Sequence, residues 1–106
     1  MTAWLIAFAF TQAVEVPIYL RAKAGWRAAV LASTLTHPVV WFGFATVRGW
    51  VHSYSATVVV MEAFAIILEA IWLSSHNVKR PFLWSLGANL TSVTLGFASR
   101  ALFGWP

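Results

Sequence analysis

Four apolar runs follow one another along this 106-residue chain, with only short polar stretches between them. They cover roughly residues 2–20, 28–47, 56–73 and 82–103. Each comes close to the ~20 residues an α-helix needs to cross the hydrocarbon core of a bilayer. Strands would be shorter and would alternate apolar with polar residues, which these runs do not. Short connections make sequential helices antiparallel neighbours. The expectation is an all-α integral membrane four-helix bundle, one transmembrane domain over residues 1–106. Composition excludes a water-soluble globule. Hydrophobic residues make up 60% of the chain and charged residues 9%, where a soluble domain carries about a quarter charged residues. A chain this short cannot hide that much apolar sequence in a core.

The net charge of +4 comes from seven Lys and Arg that lie in loops and at span ends. That placement is the pattern of topology determinants facing anionic lipid, not of a nucleic-acid patch. Arg21, Lys23 and Arg27 stand between the first two runs, and Lys79 and Arg80 between the last two; the other side has only Arg48 and Arg100. The bias places both basic loops in the cytoplasm and both termini outside. Trp4, Trp50 and Trp105 then fall at the outer ends, and Trp26, Trp72 and Trp84 near the inner ends, as interface anchors do. Ala22-Lys23-Ala24 resembles a signal-peptidase site, but no basic segment precedes the first run and Glu15 interrupts it, so this run reads as a retained span. The chain has no Cys, which excludes disulfides, thiol catalysis and Cys-ligated metals.

Polar residues inside the runs are the candidate site. An ionisable side chain at membrane depth costs at least ~2.5 kcal/mol on insertion scales, so it faces the bundle interior. Helical spacing aligns Thr11, Gln12, Glu15 and Tyr19 in the first run, and Ser33, Thr34, His37 and Trp41 in the second. It aligns Glu62, Glu69 and His76 in the third, and Ser85, Asn89, Ser92, Gly96 and Ser99 in the fourth. A rise of ~1.5 Å per residue puts Glu15 and Glu69 roughly 7 Å from the cytoplasmic ends, Thr34 and Asn89 roughly 9 to 11 Å, His37 roughly 14 Å and Glu62 roughly 17 Å. The inferred arrangement is a Glu15–Glu69–Asn89 layer beneath a His37–Glu62 layer. Pro17 and Pro38 each remove one intrahelical bond and free a carbonyl about a turn earlier, and carbonyls beside carboxylates suit a cation. Plainer readings stand beside these. Glu15 and Glu69 are then protonated and bonded to Asn89, Thr34 or Tyr19, His37 is a neutral ring bonded to Glu62, and the Ser85–Asn89–Ser92–Gly96 stripe is close helix packing. His52 and His76 lie near helix ends.

A weak internal repeat links the two halves. Glu15 is followed by Thr34-Leu35-Thr36, and Glu69 by Asn89-Leu90-Thr91; Gly43-Phe44 and Gly96-Phe97 close the halves. Two hairpins duplicated in one orientation, related by an axis along the membrane normal, fit this pattern.

Taken in order, Glu15-Val16-Pro17, Leu35-Thr36-His37-Pro38-Val39-Val40-Trp41-Phe42, Glu62, Glu69-Ala70 and Ala88-Asn89-Leu90-Thr91-Ser92 resemble a group of small bacterial membrane proteins. That group has a Glu-x-Pro, a Thr-His-Pro before an aromatic residue, two Glu in the third span and an Asn in the fourth. The resemblance spans nearly the whole chain. It implies a four-span fold and a single site made of these residues; it implies no activity. Similar proteins often carry an Asn a few residues before Thr-His-Pro, where this chain has Ser33 or Thr34. Small multidrug transporters and dual-topology fluoride channels are of like length, and the former share a Glu in the first span, but their other motifs are missing here.

Three functions follow as expectations. The first is a small transporter or channel component that handles a cation, a proton or a divalent metal, with Glu15, His37, Glu62, Glu69 and Asn89 as the candidate ligand set. One His among carboxylates and amides suits Mn, Fe(II) or Zn better than Cu(I). The second is a non-catalytic subunit or assembly factor of a larger membrane complex, or a homo-oligomer. The third is an intramembrane metal-dependent enzyme using a Glu as general base, although no His-Glu-x-x-His motif is present.

Overall fold

The computed structural model of the protein describes residues 2–104. Trp105, read above as an interface anchor, lies outside the described residues. Four helices account for the fold: α1 (Thr2–Arg21), α2 (Trp26–Val51), α3 (Tyr54–Ser75) and α4 (Pro81–Phe103). They overrun the apolar runs of the sequence by up to four residues, because capping geometry rather than hydropathy sets where a helix stops. Each helix touches the next, and α4 returns to α1. The result is an antiparallel ring with α1 and α3 on one diagonal and α2 and α4 on the other. Both α1 and α2 run unbroken through their prolines, Pro17 and Pro38. One end of the bundle carries residues 22–25 and 76–80, here the loop end. The other carries the chain termini and residues 52–53, here the terminus end.

Three helices, α1 to α3, are long and apolar enough to cross a membrane. With α4 beside them, the chain is an all-α membrane helix bundle. The sequence reading expected a fourth span, but α4, although equally long, falls short in apolarity. Its interior stripe of Ser85, Asn89 and Ser92 is the reason, and all three are buried in the bundle rather than turned to the outside. Leu83, Leu90, Leu95, Phe97, Leu102 and Phe103 cover its outer face. Exposed Leu, Val, Ile and aromatic residues likewise cover the outer faces of α1 to α3, the surface that lipid solvates.

The two loops at the loop end close their helices in the same way. At α1, Lys23 takes positive φ (65°) and the Ala24 N–H donates to the Tyr19 carbonyl at 3.1 Å. At α3, Asn77 takes positive φ (63°) and the Val78 N–H donates to the Leu73 carbonyl at 3.1 Å. This is the left-handed helix stop that satisfies the last carbonyls, and it recurs 54 positions apart in both elements of the motif, 77 − 23 and 78 − 24. The interval from Glu15 to Glu69 is the same. At the terminus end, the His52 N–H closes α2 on Arg48 at 2.8 Å, and Ser53 caps α3 by accepting from the Ala56 N–H at 3.3 Å.

The apolar core sits at the loop end. Tyr19, Ala29, Leu73 and Ala88 are fully buried there, with Trp72 and Trp84 packed against them. Alanines at α2 and α4 let the helix backbones approach closely, which is how membrane helices gain dispersion energy that lipid would not supply. The Trp72 indole N–H donates to the Ala28 carbonyl at 3.0 Å, and Ser85 Oγ to the Ile66 carbonyl at 2.7 Å.

Candidate functional site

Just above this core, Glu15 and Glu69 reach inward from the diagonal helices α1 and α3. They are 2% and 1% exposed, and both line one cavity. Their hydrogen-bond donors are all neutral. Glu15 accepts from Ser33 Oγ on one oxygen at 2.5 Å and from Ser92 Oγ on the other at 2.6 Å. Glu69 accepts from the Tyr19 hydroxyl and from Asn89 Nδ2 (3.2 Å) on one oxygen, and from Thr36 Oγ1 on the other at 2.5 Å. Asn89 is itself held by the Ser85 carbonyl at 2.9 Å. Neither carboxyl has a Lys, Arg or His partner among the described residues.

These bonds have a two-fold pattern. Each Glu accepts once from the second helix of its own hairpin, Ser33 or Asn89, and once from that of the other hairpin, Ser92 or Thr36. Ser33 and Asn89 are 56 positions apart, as are Thr36 and Ser92. The repeat read from the sequence is therefore one residue out of register at this layer. It matched Thr34 with Asn89 and Thr36 with Thr91. In the fold, Thr34 instead receives Gln12 Nε2 at 2.9 Å, and exposed Thr91 turns back to the Gly87 carbonyl at 2.7 Å. One residue is ~100° around a helix, enough to move a side chain off the inner face.

The pattern also bears on protonation. Thr36 Oγ1 has a second acceptor, the Ala32 carbonyl at 3.3 Å, and Ser92 Oγ has the Asn89 carbonyl at 3.1 Å. A hydroxyl rotates to suit its neighbours. Each can leave its carboxyl when that carboxyl gains a proton, and no buried donor is stranded.

The upper layer is built differently. His37 and Glu62 are half-buried and are not bonded to each other. The His37 ring lies among Phe8 and Trp41 (centroids 5.4 and 6.2 Å away), and its Nδ1 accepts the Trp4 indole N–H at 3.1 Å. A neutral ring that accepts at Nδ1 carries its proton on Nε2, so neither nitrogen offers a metal a lone pair in this arrangement. Glu62 Oε2 is buried with no hydrogen-bond partner among the described residues, and so is Gln12 Oε1. His37, Glu62 and the lower layer share the wall of one cavity of about 110 Å³.

All five sequence-predicted residues thus meet around that cavity, but only Glu15, Glu69 and Asn89 belong to one hydrogen-bonded cluster. No group of three or more His, Asp or Glu side chains among the described residues is arranged to hold a metal ion. His76 stands at the loop end, its Nδ1 2.8 Å from the Trp72 carbonyl. Ser33, Thr36 and Trp4 were not named as site residues, yet they are direct partners of Glu15, Glu69 and His37. In the sequence Ser33 and Trp4 stand out as stripe and anchor, and Thr36 through the repeat and the Thr-His-Pro motif. Comparison with known protein families, curated proteins and solved structures gave no match.

Proposed function

We propose that this chain is a proton-handling component of a small membrane transporter or channel, in which Glu15 and Glu69 hold one proton between them. The observation that carries this reading is the pair itself: two carboxyls on one cavity wall, almost wholly buried, served only by neutral donors. Two adjacent anions without a counter-charge cost several kcal/mol each in such a medium. One shared proton removes half of that charge and leaves an acid–carboxylate bond in its place. The hydroxyls with alternative acceptors, Thr36 and Ser92, make the proton exchangeable without repacking. A divalent metal is the weaker form of the cation reading, since the His37 ring is turned to Trp4 and the carboxylate oxygens already serve hydroxyls.

The bilayer proposed is a bacterial inner membrane, as the resemblance implies, with both termini outside on the strength of five basic residues beside the loop end against Arg48 and Arg100 at the other. Assembly as a homo-oligomer or within a larger membrane complex is compatible with the apolar outer faces. The test is proton flux in proteoliposomes under an imposed membrane potential, followed with an internal pH dye. Glu15→Gln and Glu69→Gln each lower the flux on the order of 100-fold, the scale of losing a positioned proton carrier. Flux unchanged in both variants would contradict the proposal.

A further inference from the structure

The cavity above the carboxyl pair has a direction. Its wall takes Thr11 and Glu15 from α1, Thr36, His37 and Val40 from α2, Glu62, Ala65 and Glu69 from α3, and Asn89, Ser92 and Val93 from α4. On every helix these residues run from the level of the pair toward the terminus end. None comes from the opposite side, where Tyr19, Ala29, Leu73, Ser85 and Ala88 are all at 0% exposure and close the bundle beneath the pair. Its volume, about 110 Å³, has room for several waters, each taking about 30 Å³ in the liquid. Glu62 lies two turns from Glu69 on α3, about 10 Å along the axis, too far for a direct bond. Its buried Oε2 has no protein partner, and an unpaired oxygen in such a place needs one.

We infer that water reaches the Glu15–Glu69 pair from the terminus end only, through this cavity, and that Glu62 relays protons along it. The relay rests on the proton reading of the pair; the sidedness does not. The titratable and polar groups that line the cavity with Glu62 are Thr11 and Glu15 from α1, Thr36 and His37 from α2, Glu69 from its own helix, and Asn89 and Ser92 from α4. A proton enters from water to Glu62, passes through cavity water to Glu69 or Glu15, and is held there until the Tyr19 layer, which has no continuing cavity wall, gives way. Tyr19, bonded to Glu69, is the group any onward step toward the loop end has to displace.

The chain has no native Cys, so single cysteines report access directly. Gly49→Cys marks the terminus end, where an added Cβ meets nothing within 4 Å, and exposed Lys79→Cys marks the loop end. A small membrane-impermeant thiosulfonate is applied to one face of sealed vesicles at a time. Val40→Cys and Ala65→Cys react from the face that labels Gly49→Cys; Ala29→Cys and Ala88→Cys react from neither face. Labelling of Val40→Cys or Ala65→Cys from the Lys79 face, or of neither position while Gly49→Cys reacts, would overturn the sidedness. In the flux assay Glu62→Gln slows transport at least about tenfold and Glu62→Asp recovers part of it, an effect at the low end for a proton carrier because water can substitute. Full flux in Glu62→Gln would overturn the relay. Correct labelling in a chain that carries no proton flux leaves the one-sided cavity standing and removes the proton reading. Glu15-dependent flux with labelling from the Lys79 face does the reverse.

Discussion

The two polar layers of this bundle, about two helical turns apart at Glu62 and Glu69 on α3, solve the same physical problem in opposite ways. In the lower layer, every oxygen of Glu15 and Glu69 has a buried donor, drawn from α1, α2 and α4. In the upper layer, Glu62 keeps a buried oxygen without a protein partner, and His37 is turned aside to Trp4. A satisfied network in a low-dielectric interior fixes helix register, because each member strands its partners if removed. A half-satisfied layer is stable only where water completes it. The contrast separates a part of the molecule that holds its charge-bearing groups from a part that gives access to them.

The largest expected effect breaks that contrast if it fails. Glu69→Leu strands the Tyr19 hydroxyl and one Asn89 N–H, while Thr36 turns to the Ala32 carbonyl, and costs about 2–5 kcal/mol. Glu62→Leu strands none and changes stability by less than about 1 kcal/mol. Unfolding equilibria in mixed micelles read both; equal losses would mean that the layers do not differ. The next effect sharpens the two-fold pattern within the lower layer. Thr36→Val and Ser92→Ala remove equivalent cross-hairpin bonds and each costs about 0.5–1.5 kcal/mol. A loss in one alone would show that the equivalence is only geometric. The smallest concerns the upper layer. Trp4→Phe frees His37 Nδ1 at a cost under about 1 kcal/mol, and ¹⁵N spectra of the ring then lose the pure Nε2–H signature that wild type shows.

Much of this was legible in the sequence. Apolar runs of bilayer length with short connections left few folds, and the helical rise alone put Glu15, Glu69 and Asn89 in one layer with Glu62 beyond them. The pairing of donors with carboxyls was not legible. Ser33 and Thr34 are both polar and adjacent, and nothing local says which of two directions ~100° apart faces the carboxyl. That depends on how α2 rotates against α1, which packing of distant alanines decides. Trp4 looked like an interface anchor because its indole suits a headgroup region equally well; its bond to His37 joins residues 33 positions apart. The polar stripe of α4 was read correctly as inward-facing, yet the same stripe keeps that helix below the apolarity of the other three.

The account turns on the proton shared by Glu15 and Glu69. The chain has only three acidic side chains, so infrared spectroscopy in lipid can count protonated carboxyls directly, with Glu62→Gln as the background. The account predicts one protonated carboxyl per chain at neutral pH, its carbonyl band shifting in D₂O and vanishing when Glu15 and Glu69 are both changed to Gln. A spectrum with no protonated carboxyl, or with two, would contradict it.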